Sequence, residues 1–219
     1  MRAGVITFPG SNCDRDIAVA LAACGARVAR VWHGESELPA LDLIVLPGGF
    51  TYGDYLRCGA IAAHSPVMRQ VVRRAAAGVA VLGICNGFQI LAEAGLVPGA
   101  LISNAGLKFV CRPVTLEVTS TNSIFTAAYE LGQVIRLPVA HHDGCYVCTP
   151  DELERLRHED RIVLRYLDNP NGSTADIAGL LGAGRNVLGI MPHPERAVDP
   201  RTGSTDGAPL LRGLIEAFA

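Results

Sequence analysis

Long apolar runs are missing from this sequence. No stretch approaches the roughly 18 uncharged residues that a membrane-spanning helix needs. The opening segment MRAGVITFPG reaches Pro9-Gly10 before its apolar run is long enough for a signal peptide. Cationic runs are scarce too: none exceeds Arg73-Arg74 and the net charge is −2, so the electrostatic footprint of a nucleic-acid-binding protein is lacking. The phosphate-cradling pattern G-x-x-x-x-G-K-[ST] is absent, and no other segment reads as a nucleotide-activating site. The expectation is a cytoplasmic protein that contacts neither membrane nor nucleic acid and carries no cofactor of its own.

Seven cysteines form an odd set in a chain large enough to build its own core. Their default is reduced thiols, most of them packed as small core residues. Cys145 and Cys148 make a C-x-x-C just after His141 and His142 in HHDGCYVC. A structural zinc site needs four converging ligands, and no second such pair exists. A thioredoxin-like pair would open a helix, whereas VAHHDGCYVC has strand character. No metal site is expected.

The first half alternates strand and helix patterns. RAGVITF is a β-branched apolar run, and DRDIAVALAACGA follows with helical spacing at Ile17, Ala20, Leu21 and Cys24. ARVARVW and LDLIVLPGG read as further strands. SPVMRQVVRRAAAG reads as a helix, with Ser65 as cap, Pro66 in the first turn and Gly78 as stop. VAVLGI is a fourth strand and NGFQILAEAG the next helix. Continuous apolar strands separated by helices predict an α/β fold with an open, mostly parallel sheet covered by helices on both faces. Ligands of such sheets sit beyond the carboxyl ends of the strands. From Lys108 the texture changes. KFVCRPVTLEVT and GQVIRLPVAHHDGCYV predict added antiparallel strands, DELERLRHED a short helix and RIVLRYLDN another strand. NVLGIMPHPE returns to a buried strand with a loop, and APLLRGLIEAFA closes as an amphipathic helix. With no repeat and no linker, residues 1–219 read as one domain.

Gly83-Ile84-Cys85-Asn86-Gly87 fits G-x-nucleophile-x-G at a strand-to-helix junction, the nucleophile elbow. Small residues two before and two after the nucleophile allow the tight turn. A thiol at a helix N-terminus has its thiolate stabilised by unpaired N–H groups and the helix dipole. A cysteine nucleophile also needs a base and an orienting group. Met191-Pro192-His193-Pro194-Glu195 supplies both. Each proline biases its predecessor towards extended geometry, which would face His193 and Glu195 the same way. His141 and His142 are rival bases, but Asp143 falls on the wrong parity to orient His142. His33, His64 and His158 read as solvated. An oxyanion hole would take the N–H of Asn86 and one from the loop after LDLIVL, where Gly48-Gly49 leaves an N–H unobstructed.

Elbow, Gly-Gly loop and His-x-Glu after a late strand together resemble the class I glutamine amidotransferases, whose architecture is flavodoxin-like. LPGGFTYGDYLRCGAIA, GICNGFQIL, NPNGS and MPHPER narrow the resemblance to the glutaminase subunits of phosphoribosylformylglycinamidine synthases, a purine-synthesis family. The resemblance spans essentially the whole chain. It implies that Cys85 attacks the amide of L-glutamine, with His193 as base and acid and Glu195 orienting it. It implies Gly49 and Asn86 as oxyanion donors, and Gln89, Gly48 and Phe50 as substrate-binding residues. It also implies a large synthetase subunit that binds ATP and Mg and receives ammonia, a small bridging subunit, and slow glutamine hydrolysis by the isolated chain. The family usually reads AHGEG where this chain has AHHDG, which bears on contacts of that loop; Thr51 stands for the more usual serine. Two other readings remain: a cysteine hydrolase or stress protein on a related fold, in which a histidine usually follows the elbow cysteine, and a binding subunit without catalysis.

Overall fold

The computed structural model describes residues 1–218. In chain order the elements are β1 (Arg2–Thr7), α1 (Asp14–Ala23), β2 (Arg27–Trp32), β3 (Leu43–Leu46), α2 (Ala60–Ala63), α3 (Pro66–Ala76), β4 (Ala80–Ile84), α4 (Asn86–Glu93) and β5 (Ala100–Ile102). There follow β6 (Val110–Val118), β7 (Val134–His141), β8 (Cys145–Val147), α5 (Pro150–His158), β9 (Ile162–Tyr166), β10 (Ile177–Leu181), β11 (Val187–Ile190) and α6 (Ala208–Glu216).

Nine strands form one sheet in the order β2-β1-β3-β4-β11-β10-β9-β6-β7. The five from β2 to β11 are parallel to their neighbours. Beyond β11 every pairing is antiparallel. Every residue of β3, β4, β10 and β11 is buried, which requires cover on both faces of the sheet. Right-handed crossovers explain that cover. The chain leaves β1 for β2 in one direction and β3 for β4 in the other, which sends α1 and α3 to opposite faces. The order reverses between β1 and β3, where an open parallel sheet leaves a crevice at its carboxyl edge.

Two local expectations need correction, and one strand was not expected. The run GQVIRLPVAHHDGCYV is two strands, because the chain turns at 142–144; β8 leaves the main sheet and pairs with the short β5. Strand β10 carries no clear periodicity, yet it is buried throughout and joins β11 to the antiparallel wing. Ser65 precedes α3 without capping it, and its hydroxyl lies 3.2 Å from the Tyr52 hydroxyl. The NPNGS segment serves the turn at 142–144. Asn171 Nδ2 donates to the Gly144 carbonyl at 2.8 Å, and Ser173 Oγ accepts the Tyr146 N–H at 3.0 Å. The Tyr146 ring stacks on Phe88 of α4 with centroids 6.1 Å apart, so this turn is pinned beside the helix that follows Cys85. No helix among the described residues is long and apolar enough to cross a membrane.

Candidate active site

β1, β3, β4 and β11 are consecutive in the parallel sheet, and the loops beyond their carboxyl ends meet. They are residues 8–13, 47–54, 85–86 and 191–196. Cys85 occupies the tightest of these turns, with φ 52° and ψ −108°, a conformation that costs a non-glycine residue about 1–3 kcal/mol. The flanking glycines explain how such a turn fits. A Cβ on Gly87 would lie 1.9 Å from the Leu46 carbonyl oxygen, and one on Gly83 would lie 2.5 Å from the Leu91 side chain. The Cys85 N–H donates to Ile190 at 2.7 Å, tying the turn to β11. The residue is 5% exposed, and its sulfur lies 3.7 Å from the Ala140 carbonyl oxygen.

His193 and Glu195 meet with Nδ1 and Oε1 2.7 Å apart, both buried. They do so by a different route from the extended one expected. Residues Pro194–Arg196 form a 3-10 turn, entered through Pro194, whose fixed φ suits a first helical position. The turn folds the carboxylate back under the ring, and the His193 N–H is held by the Pro138 carbonyl at 2.8 Å. Burial works against a charge on His193. The Glu195 carboxylate and then the Cys85 sulfur outweigh it, and the imidazole holds its proton well above the ordinary histidine range. Its Nε2 has no hydrogen-bond partner among the described residues.

Gly48 sits against His193. A side chain there would place its Cβ 2.8 Å from His193 Cε1, so only glycine admits the ring. Gly49 stands opposite Ser11 in an isolated antiparallel bridge. The bonds flanking that bridge run from Phe50 N–H to Gly10 at 3.0 Å and from Asn12 N–H to Gly48 at 3.4 Å. That is the non-hydrogen-bonded pair of a ladder, which leaves the Gly49 N–H outside it. Phe50 is displaced to the rim, 44% exposed, with its ring 6.5 Å from that of Phe109. Asn86 does more than offer an N–H. Its Oδ1 accepts the Thr51 N–H at 3.1 Å and its Nδ2 donates to Gln89 at 2.7 Å, bracing the elbow against the β3 loop. Gln89 is engaged at both ends of its amide, since Nε2 donates to the Asp143 carbonyl at 2.6 Å.

The AHHDG loop is thus part of the site wall. The turn at 142–144 brings His142 Nδ1 within 3.1 Å of Asp143 Oδ2, a neighbour pairing that strand parity forbids. The Asp143 carboxylate also accepts from Ser103 and Cys58. His141, the other rival base, is buried with Nδ1 3.0 Å from Asn104 Oδ1. Asn104 Oδ1 also accepts the Gly144 N–H at 3.0 Å, so the ring proton sits on Nδ1. Burial, reinforced by the charge of His193, pushes His141 down to about 4. A neutral ring backed by an amide lacks the carboxylate that a base needs. His33 is not solvated: it is half-buried beside Phe8, Trp32 and Tyr52, and its Nδ1 lies 2.9 Å from the Tyr52 hydroxyl.

Sequence reasoning missed Cys13 and Arg196. Cys13 is buried, and its sulfur, His193 and Glu195 bring ligand-type atoms within 4.8 Å of one another. A cation fits there poorly, because Arg196 Nη2 already lies 3.0 Å from the Cys13 sulfur. The only local signal was a turn at Pro9-Gly10 in front of SNCD.

The model of the CobB/CobQ-like glutamine amidotransferase domain family matches residues 1–207. The phosphoribosylformylglycinamidine synthase subunit PurQ of Cereibacter sphaeroides is 58% identical, with 100% of this chain and 99% of the relative covered. The PurQ subunit of Zymomonas mobilis is 56% identical, with both chains fully covered. A chain of the Thermotoga maritima PurLQS structure superposes with a TM-score of 0.93 at 44% identity, covering 100% and 99% of the two chains. The glutaminase domain of Trypanosoma brucei CTPS shares the fold alone, at a TM-score of 0.63 and 16% identity over 99% of this chain and 93% of that one. With relatives this similar over their whole length, the chain belongs to the phosphoribosylformylglycinamidine synthase subunit PurQ family of glutamine amidotransferases.

Proposed function

We propose that residues 1–219 act as one amidotransferase domain, the glutaminase subunit of a cytoplasmic phosphoribosylformylglycinamidine synthase. The observation that carries this reading is the buried His193–Glu195 pair, 2.7 Å apart, beside a cysteine held at positive φ on the same sheet edge. An imidazolium next to a sulfur favours its thiolate, the form that attacks. The Cys85 thiolate adds to the side-chain amide carbon of L-glutamine. Negative charge moves to the amide oxygen, towards the N–H groups of Gly49 and Asn86. His193 then gives its proton to the leaving nitrogen, and ammonia departs from a glutamyl thioester. A water, deprotonated by His193, adds to the thioester, and Cys85 leaves with glutamate released. Glu195 keeps the ring in one orientation and stabilises its charged form, as an orienting carboxylate does in a hydrolase triad. Gln89, Gly48 and Phe50 line the substrate side.

Hydrolysis alone would lose the ammonia, so the activity is useful only beside an enzyme that consumes it. The PurLQS relative supports a large synthetase partner and a small bridging subunit; the synthetase is the subunit expected to bind ATP and Mg. The purified chain alone should hydrolyse glutamine slowly. In the reconstituted complex, Cys85→Ala should lower glutamine-dependent synthesis by at least about 10³-fold and leave ammonium-dependent synthesis intact. Equal loss with both nitrogen donors would overturn the role of Cys85.

A further inference from the structure

The turn between β1 and α1 takes no part in the chemistry above, yet it reaches both the oxyanion loop and the base. The N–H groups of Asn12 and Cys13 donate to the Gly48 carbonyl at 3.4 and 3.2 Å. That carbonyl and the Gly49 N–H belong to one planar trans peptide and therefore point in opposite directions. Sheet order decides what lies on each side. β3 lies between β1 and β4, so its loop lies between the β1 turn and the Cys85 elbow. A carbonyl drawn towards the β1 turn sends the next N–H towards Cys85. At the far end of the same loop, the Thr51 N–H is fastened to Asn86.

The base is tied to this turn as well. Arg196 directly follows Glu195. Its Nη2 donates to the buried Cys13 sulfur at 3.0 Å and its Nε to Asp16 of α1 at 3.1 Å. Gly48 touches both parts, since a Cβ there would lie 3.1 Å from the Cys13 sulfur and 2.8 Å from the His193 ring. One turn thus carries the oxyanion peptide on its backbone and the His193–Glu195 turn on a side chain.

We propose that Cys13 and Arg196 are positioning residues that hold the Gly48–Gly49 peptide and the His193–Glu195 turn in one fixed relation. This rests on the glutaminase reading and deepens it: one oxyanion donor and the base are set within this chain before a partner docks. What docking adds lies elsewhere, on the side of the substrate. A clamp of this kind acts on the tetrahedral intermediate, where charge reaches the Gly49 N–H, and leaves ground-state glutamine binding nearly untouched.

The test uses the reconstituted complex with Arg196→Met, Arg196→Lys, Cys13→Ala and Cys13→Ser. Arg196→Met should lower kcat for glutamine between about 10- and 100-fold, with KM within about threefold. Affinity for glutamate γ-semialdehyde, which forms a tetrahedral adduct with Cys85, should fall in the same proportion as kcat. Cys13→Ser keeps an acceptor for Arg196 and should stay within about threefold of wild type, with Cys13→Ala and Arg196→Lys between. Ammonium-dependent synthesis and co-elution with the partners report that each variant is folded. The clamp is refuted if kcat and aldehyde affinity hold while KM rises, or if all four variants match wild type. A wild-type complex that uses ammonium and never glutamine would instead sink the glutaminase reading itself.

Discussion

The two flanks of Cys85 are built differently. On the side of His193 the groups are buried and tied to fixed backbone: His193 is 1% exposed and Glu195 4%, and a side-chain-free Gly48 closes over the ring. On the side of the 50–58 loop the chain is exposed and bent. Tyr55 and Leu56 are 74% and 88% exposed, and Tyr52, Asp54 and Leu56 all have positive φ. The carboxyl of Asp54 is raised by burial, eased by its bonds to Cys58 and Asn86, and raised again by the nearby Asp143. In the proposed reaction the first flank would carry the proton transfer, a step that tolerates little displacement. The second presents exposed, bent backbone to solvent.

The sharpest way to break this contrast is to disturb the buried flank without changing the size of a side chain. Glu195→Gln should lower glutamine-dependent kcat by roughly 10³–10⁴-fold, since the ring loses the carboxylate that orients and charges it. The same change has a pH signature. His193 holds its proton above the ordinary range when folded, so it adds stability that is complete below the unfolded histidine value. That stability is lost as pH rises through the folded value. Urea unfolding across that window should show this slope in wild type and a flatter one in Glu195→Gln.

A smaller effect is expected at the wall between the flanks. Asp143→Ala removes the carboxylate that fastens the loop to Ser103, His142 and Cys58, loosening the carbonyl on which Gln89 leans. KM for glutamine should rise by about tenfold, with kcat within about threefold, in steady-state assays of the complex. The smallest change belongs to the open flank. Leu56→Ala should shift the unfolding free energy of the isolated chain by no more than about 0.5 kcal/mol, because the side chain has little to lose. A large loss there would show that the 50–58 loop is as tightly built as the base.

Much of the site was legible because its residues are local to one another. The Cys85 elbow is a pentapeptide with a strand before it and a helix after it, and both follow from spacing. His193 and Glu195 were legible as a pair, though they meet through a 3-10 turn where extended backbone was expected. Cys13 and Arg196 were not legible, for they are 183 residues apart and only the fold makes them neighbours. Asn104 and His141 are 37 residues apart and meet at a turn that looked like continuous strand. β10 was not read from its five residues, and its place is set by pairing with β9 and β11.

The backbone of Cys85 gives the molecule a direction of decay. At φ 52° and ψ −108° glycine is at ease and cysteine is not. Selection for stability alone, in a cell supplied with ammonia, should therefore discard the thiol early: Cys85→Gly relaxes the turn while the sheet and its loops stay intact. A lineage that keeps the cysteine does so against a slope, and its persistence is a record of continued demand for nitrogen from glutamine.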